Sequence, residues 1–190
     1  MAPCTYTCSK VIGATYFNLQ NAPVQNLSPA DEDGHSTHTF STVAGVAVRE
    51  ASLDGIGVGT ARGGVSCACI AMYKVCWSSD GCSDMDLLAA FDEAIADGVN
   101  VIMVSLGGTP RKLISDPMTI GSLHAMKRGI LTSCSAGNSG PSTMTMENIA
   151  PWILNVAASN TDRQFTTAVD LGNGKKAHVF IFLSQDIRYK

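Results

Sequence analysis

His35 stands in Gly34-His35-Ser36-Thr37-His38-Thr39, at the head of a helical run of small residues. Asn138 stands in Ala136-Gly137-Asn138-Ser139-Gly140-Pro141, a turn that follows an apolar run. A histidine can take a proton from an attacking group and an Asn amide can donate to a developing oxyanion, which are two of the parts that acyl transfer needs. A third stretch, Ser105-Leu106-Gly107-Gly108, closes another apolar run, where nearly bare backbone can pair with an extended peptide. The nucleophile is the part these stretches leave unfilled. Taken singly, each has a plain alternative: a histidine near a helix start is often a solvated or capping residue, and Asn-Ser-Gly is an ordinary turn. It is their order, each at the end of a predicted element, that makes the set informative.

Those stretches need elements to position them, and the chain alternates strand-like and helix-like runs, the pattern of an α/β fold with a mostly parallel sheet. Residues 70–75 read as a strand. Ser83 or Asp84 caps a helix whose Leu87, Leu88, Phe91, Ala94 and Ile95 fall on one face, and Gly98 ends it. Residues 99–106 form a continuous apolar strand, as expected when helices cover both faces. A helix over 118–128, stopped by Gly129, leads to strands over 130–135 and 152–158. His35 then lies in the first turn of a helix reaching to about Val48, and both glycine-containing turns lie beyond strand ends, where parallel sheets form clefts. Residues 1–33 are polar and read as an N-terminal surface segment, 34–175 as the body of the domain, and 176–190 as a divergent tail; across that last boundary, 175–182 could be a terminal strand with no following partner.

Bulk composition excludes several function classes. The chain has 190 residues, 45% hydrophobic and 15% charged, enough for one domain with a core. Its 13 Lys plus Arg against 16 Asp plus Glu give a net charge of -3 with no basic stripe, so nucleic acid is a poor partner. No apolar run reaches the roughly 20 residues of a membrane span. Met1-Ala2-Pro3-Cys4 lacks the basic region and apolar stretch of a secretory signal. Of seven cysteines, Cys76 and Cys82 flank a short loop and are the best disulfide candidates, with free thiols an equally open reading. Cys67-Ala68-Cys69 is too tight for a zinc pair, which usually has about two to four residues between ligands.

The motifs then reach a family. Gly34-His35-Ser36-Thr37-His38-Thr39, Gly59-Thr60-Ala61-Arg62-Gly63-Gly64-Val65, Tyr73-Lys74-Val75-Cys76-Trp77, Asp97-Gly98-Val99, Ser105-Leu106-Gly107-Gly108 and Ser135-Ala136-Gly137-Asn138-Ser139-Gly140-Pro141 closely resemble plant subtilisin-like serine proteases of the cucumisin type, in peptidase family S8. The resemblance runs from about Cys8 to Lys175. It implies a three-layer subtilisin-like fold, truncated at both ends, and a secreted hydrolase acting on protein or peptide substrates with no catalytic cofactor. By the same match His35 is the general base, Asn138 the oxyanion donor, and Ser105, Leu106 and Gly107 line the substrate cleft.

The chain also departs from that pattern. Ser36 replaces a glycine beside the base, and Ala30 replaces an arginine before the motif. No Asp-Thr-Gly or Asp-Ser-Gly precedes His35 and no Gly-Thr-Ser follows it, so the acid and the nucleophile of the family are unmatched. In serine proteases, losing the orienting aspartate alone costs on the order of 10⁴ in turnover. The chain by itself is therefore expected to be inactive or nearly so.

Three other readings compete. Ser139 in Gly137-Asn138-Ser139-Gly140 could be the nucleophile of a chymotrypsin-like β-barrel, although the helix-strand alternation opposes it. His35 and His38, with Asp31 or Asp33, could hold a metal. A non-catalytic, protease-like protein could bind peptides or partners along 105–108.

Overall fold

A computed structural model describes residues 10–24, 26–77, 81–159 and 166–180. In chain order its elements are β1 (Val11–Tyr16), α1 (His35–Ala44), β2 (Val48–Leu53), β3 (Ile56–Ala61), β4 (Ile70–Lys74), β5 (Cys76–Trp77), β6 (Gly81–Cys82), α2 (Asp84–Ala96), β7 (Val101–Val104), α3 (Pro117–Lys127), β8 (Leu131–Ser135), β9 (Ile153–Val156), β10 (Thr166–Asp170) and β11 (Lys176–Phe180). The α/β class read from the alternation is the one observed.

Local chemistry explains where the two core helices begin and end. Ser83 caps α2, its hydroxyl accepting the Met85 N–H at 3.2 Å, and Gly98 follows the helix with φ 69, a conformation glycine adopts without cost. Asp116 caps α3 by accepting from the N–H groups of Met118 and Thr119 and from the Thr119 hydroxyl. Pro117 opens that helix where its missing N–H has no partner to lose. Leu87, Ala90, Phe91 and Ala94 form the buried stripe of α2, packed with Met118, Cys134 and Ile153. Gly121 lets the two helices approach closely, since a Cβ there would collide with the Phe91 ring.

Strands β7, β8 and β9 form a parallel sheet, with Val104 opposite Cys134 and Ser135 opposite Val156. The expected strand over 99–106 is shorter, and its two faces differ. Ile102 and Val104 pack toward the core, whereas Val101 and Met103 are each 51% exposed. Leu131, Leu154 and Val156 are similarly half exposed, so a second face of this sheet is apolar and open among the described residues.

Three features differ from the sequence reading. Within the segment read as a surface loop, Val11–Tyr16 pairs in parallel with β4; its β-branched and aromatic residues suit a strand. Asp86, 1% exposed, accepts the Leu19 N–H at 2.8 Å and ties that segment to α2. Helix α1 stops at Ala44 rather than near Val48, because Val48 begins the antiparallel β2–β3 hairpin. Asp54 and Gly55, at φ 48 and 83, make its turn, matching the Asp-Gly preference of tight hairpins. The strand expected near the C-terminus is present as β11, and its partner is the preceding strand β10, which the sequence reading did not include. Residues 181–190 of the tail, 1–9 of the N-terminal segment and 78–80 of the Cys76–Cys82 loop lie outside the described residues.

Candidate functional site

Asp31 organises the start of α1. Its Oδ1 accepts from the N–H groups of Asp33 and Gly34, and its Oδ2 from the Thr37 N–H at 2.7 Å and the Thr37 hydroxyl at 2.6 Å. These bonds, that of the Thr37 hydroxyl first, hold the carboxyl well below the usual carboxylate range. The loop is anchored from the other side by Lys74, whose amine donates to Ala30 O at 2.8 Å and sits 4.4 Å over the Trp77 ring. Gly34, at φ 93, makes the sharp entry into the helix. His35 is thereby fixed as the first residue of α1.

From there the imidazole reaches the end of β7: His35 Nε2 lies 3.0 Å from Ser105 O. A carbonyl only accepts, so Nε2 carries the hydrogen in this contact. The next carbonyl, Leu106 O, points the other way and accepts from the Ser135 hydroxyl at 3.1 Å and from Asn148 Nδ2 at 3.0 Å. Ser105 and Leu106, directly after the last residue of β7, thus bond to different neighbours, one to α1 and the other to β8 and the β8–β9 connection.

Asn138 follows β8 after Gly137, whose φ is 85. Its side chain is exposed and makes no hydrogen bond among the described residues. Because β7 and β8 are parallel and in register, the turns carrying Ser105 and Asn138 leave the sheet at the same end. His35 and Ser105 are in direct contact, and Asn138 lies on the neighbouring turn. Sequence reasoning missed Asn148, which also donates to Ser135 O at 2.9 Å and so bridges both turns; nothing local in Glu147-Asn148 signals a partner some 40 residues away.

A cavity of about 450 Å³ opens beside His35. Its walls are residues 71–77, from β4 into β5, and 102–106, from β7 into the turn after it, with Phe91 of α2 and Phe40 of α1 among its apolar lining. Strand β4 pairs with β1 on one edge and β7 with β8 on the other, and the edges facing this cavity pair with no described strand.

The remaining candidates fall into place around this cleft. Cys76 and Cys82 form a disulfide, standing opposite each other in the short β5–β6 ladder. Cys134 is buried, and burial first, then the charge of Asp116, pushes its thiol up to about 12, which makes it a core residue rather than a nucleophile. Ser139 is exposed on the Asn138 turn, within an α/β architecture rather than a β-barrel. Asp31 is taken up by the helix start, and no group of three or more His, Cys, Asp or Glu among the described residues is placed to hold a metal.

The subtilase family model matches residues 9–178. The chain is 59% identical over 172 residues to subtilisin-like protease SBT4.15 of Arabidopsis thaliana, covering 89% of this chain and 22% of that protein. It is 57% identical over 169 residues to subtilisin-like protease SBT4.14 of the same plant, covering 88% and 23%. It thus spans less than a quarter of the length of these curated relatives. Among solved structures, the S41 psychrophilic protease superposes with a TM-score of 0.59 at 24% identity, over 90% of this chain and 51% of that one. Sphericase gives 0.52 at 27% identity, over 80% and 45%.

Proposed function

The chain belongs to the subtilase family, and on that premise we propose that it is part of the catalytic domain of a subtilisin-like serine endopeptidase that hydrolyses peptide bonds in proteins. In this reading His35 is the general base, Asn138 donates to the oxyanion, and Ser105, Leu106 and Gly107 hold an extended substrate. The observation that carries it is the 3.0 Å contact between His35 Nε2 and Ser105 O, which supports a base seated against the substrate strand.

The same contact supports the view that the machinery is incomplete within these 190 residues. To accept a serine proton, Nε2 must be free of hydrogen, which requires the proton to sit on Nδ1 and a carboxylate to hold it there. Among the described residues His35 has no such partner. The acid and the nucleophilic serine would come from polypeptide beyond this chain. The cavity beside His35, flanked by the unpaired edges of β4 and β7, supports room for one further parallel strand between the two sheets. An extracellular setting accords with the Cys76–Cys82 disulfide, a bond that persists in oxidising compartments.

The test is to sequence the transcript across both ends of this frame, express the complete reading frame, and compare it with the 190-residue chain. The complete polypeptide should label with a fluorophosphonate and lose most of its kcat/KM on His35→Ala, by roughly 10⁴-fold or more. The 190-residue chain should show no turnover above its own His35→Ala background. A complete frame indifferent to His35→Ala would sink the peptidase reading. If the frame ends at Met1 and Lys190, the bare backbone at 105–108 instead favours a non-catalytic peptide-binding role.

A further inference from the structure

Glu147 is a carboxylate only 6% exposed, in the connection between β8 and β9, and the proposed chemistry gives it no part. It makes no ion pair among the described residues. Burying a charge without a counter-charge is costly, so its hydrogen bonds and contacts should say why it is there. Its Oε2 accepts the Gly108 N–H at 2.5 Å. A Cβ built on Gly137 would lie 2.7 Å from its Cδ and Oε1, and one on Gly107 would collide with Oε2. The carboxylate thus fills the space between two turns, 105–108 after β7 and 136–141 after β8, and both turns are glycine where it touches them.

Its backbone is held as firmly. The Glu147 N–H donates to Ala136 O at 3.1 Å, and Glu147 O accepts from Asn155 Nδ2 at 2.6 Å. Neighbouring Asn148 bonds Leu106 O and Ser135 O. We propose that Glu147 is a positioning residue, a strut that sets the separation between the substrate-lining backbone at 105–108 and the turn carrying Asn138. A peptide paired along 105–108 presents its carbonyl at a fixed distance from Asn138 only if those two turns move as one. This rests on the peptidase reading of the cleft, but the strut itself can be tested without turnover.

The experiment uses the 190-residue chain, labelled for NMR, with Glu147→Ala, Glu147→Gln and Glu147→Asp. Gln keeps both length and an acceptor, and Asp keeps the charge but is one methylene too short. Glu147→Ala and Glu147→Asp should speed exchange of the Gly108 amide about tenfold or more, Glu147→Gln by much less, with amides of α2 and α3 unchanged in all three. Titration with a capped tetra-alanine peptide should shift the Gly107 and Asn138 amides together in the wild type and in Glu147→Gln, and should uncouple them in Glu147→Asp. If Glu147→Ala fails to fold, the Gln and Asp pair still decides. Unchanged Gly108 exchange in the Asp variant, or a rise shared equally by α2 and α3, overturns the strut. The expected exchange pattern with no peptide shift in the wild type overturns instead the peptide-cleft reading, and the substrate-positioning role with it.

Discussion

His35 Nε2 and Ser105 O, 70 residues apart in sequence, meet at 3.0 Å, so the start of α1 is tied to the end of β7 across the mouth of the cleft. The contact assigns the proton. If Nε2 donates to a carbonyl, neutral His35 is the Nε2–H tautomer, the opposite of what a waiting general base requires. Long-range ¹⁵N–¹H correlation on the 190-residue chain above the imidazole titration should show that tautomer predominating. A spectrum dominated by Nδ1–H would mean that His35 is already poised by some other partner.

Asp31 should matter through the helix rather than through chemistry. Replacing it by Ala removes the acceptor for two backbone N–H groups before α1, one within it, and the Thr37 hydroxyl. Loss of such a cap should cost about 1 kcal/mol at pH 7. The sign of the pH dependence follows from its carboxyl lying below the usual range when folded. Its contribution is fully present above the unfolded value, near pH 4, and is lost as the pH falls from there through the folded value. Thermal melts of wild type and Asp31→Ala should differ at pH 7 and converge under strongly acidic conditions. A gap that widens on acidification would contradict the capping role.

Opening the Cys76–Cys82 disulfide releases a small loop next to Trp77, which is 4% exposed and donates from its indole to Phe17 O at 2.8 Å. The chain-entropy relation for a loop this short gives about 2 kcal/mol, which for a domain of this size lowers Tm by about 4–8 °C. Cys76→Ser/Cys82→Ser should melt earlier by that amount, with red-shifted tryptophan emission. Since Trp77 supports Lys74, and Lys74 holds Ala30, the loosening should spread to the loop before His35. Unaltered melting and emission would reduce the bridge to an ornament of the β5–β6 ladder.

Gly121 and Phe91 offer a test of the α2–α3 interface. An Ala at 121 would drive its methyl into the Phe91 ring, an overpacking that typically costs about 1–3 kcal/mol. Phe91→Ala alone leaves a cavity costing about 3–5 kcal/mol. The double variant should be less destabilised than the sum of the two, because each relieves what the other introduces. Strict additivity by denaturant unfolding would show that the helices simply move apart.

The legibility of this fold in its sequence follows the range of the signals. Ser83, Asp116, Gly98 and Gly129 are local marks, and helices α2 and α3 stand where those residues place their ends. The β2–β3 hairpin carries an equally local mark in Asp54-Gly55, yet the small-residue run through Thr42, Val43 and Ala44 reads as a helix continuing to about Val48, where β2 in fact begins. The β1–β4 pairing had no such mark, since it joins segments roughly 60 residues apart. At the site, His35, Ser105 and Asn138 carry visible motifs. Glu147 does not, because its environment is made by Gly107, Gly108 and Gly137 and exists only once the two turns have met.

The open face of the β7–β8–β9 sheet gives the last prediction. Val101, Met103, Leu131, Leu154 and Val156 are each about half exposed, and adjacent strands bring them together on one face. Contiguous apolar surface of this kind is rarely left open on a monomer and favours association. The unpaired edges of β4 and β7 add a second route to self-association, through strand pairing. The 190-residue chain alone should therefore associate in a concentration-dependent way. Met103→Lys, on the open face rather than the core side of β7, should raise its soluble fraction without lowering the melting temperature, whereas Ile102→Lys, on the packed side, should abolish folding. Sedimentation velocity together with a melt distinguishes the outcomes. A monodisperse monomer with a sharp cooperative transition and no gain from Met103→Lys would show that the face is satisfied within the chain, and would remove one argument for further polypeptide completing the domain.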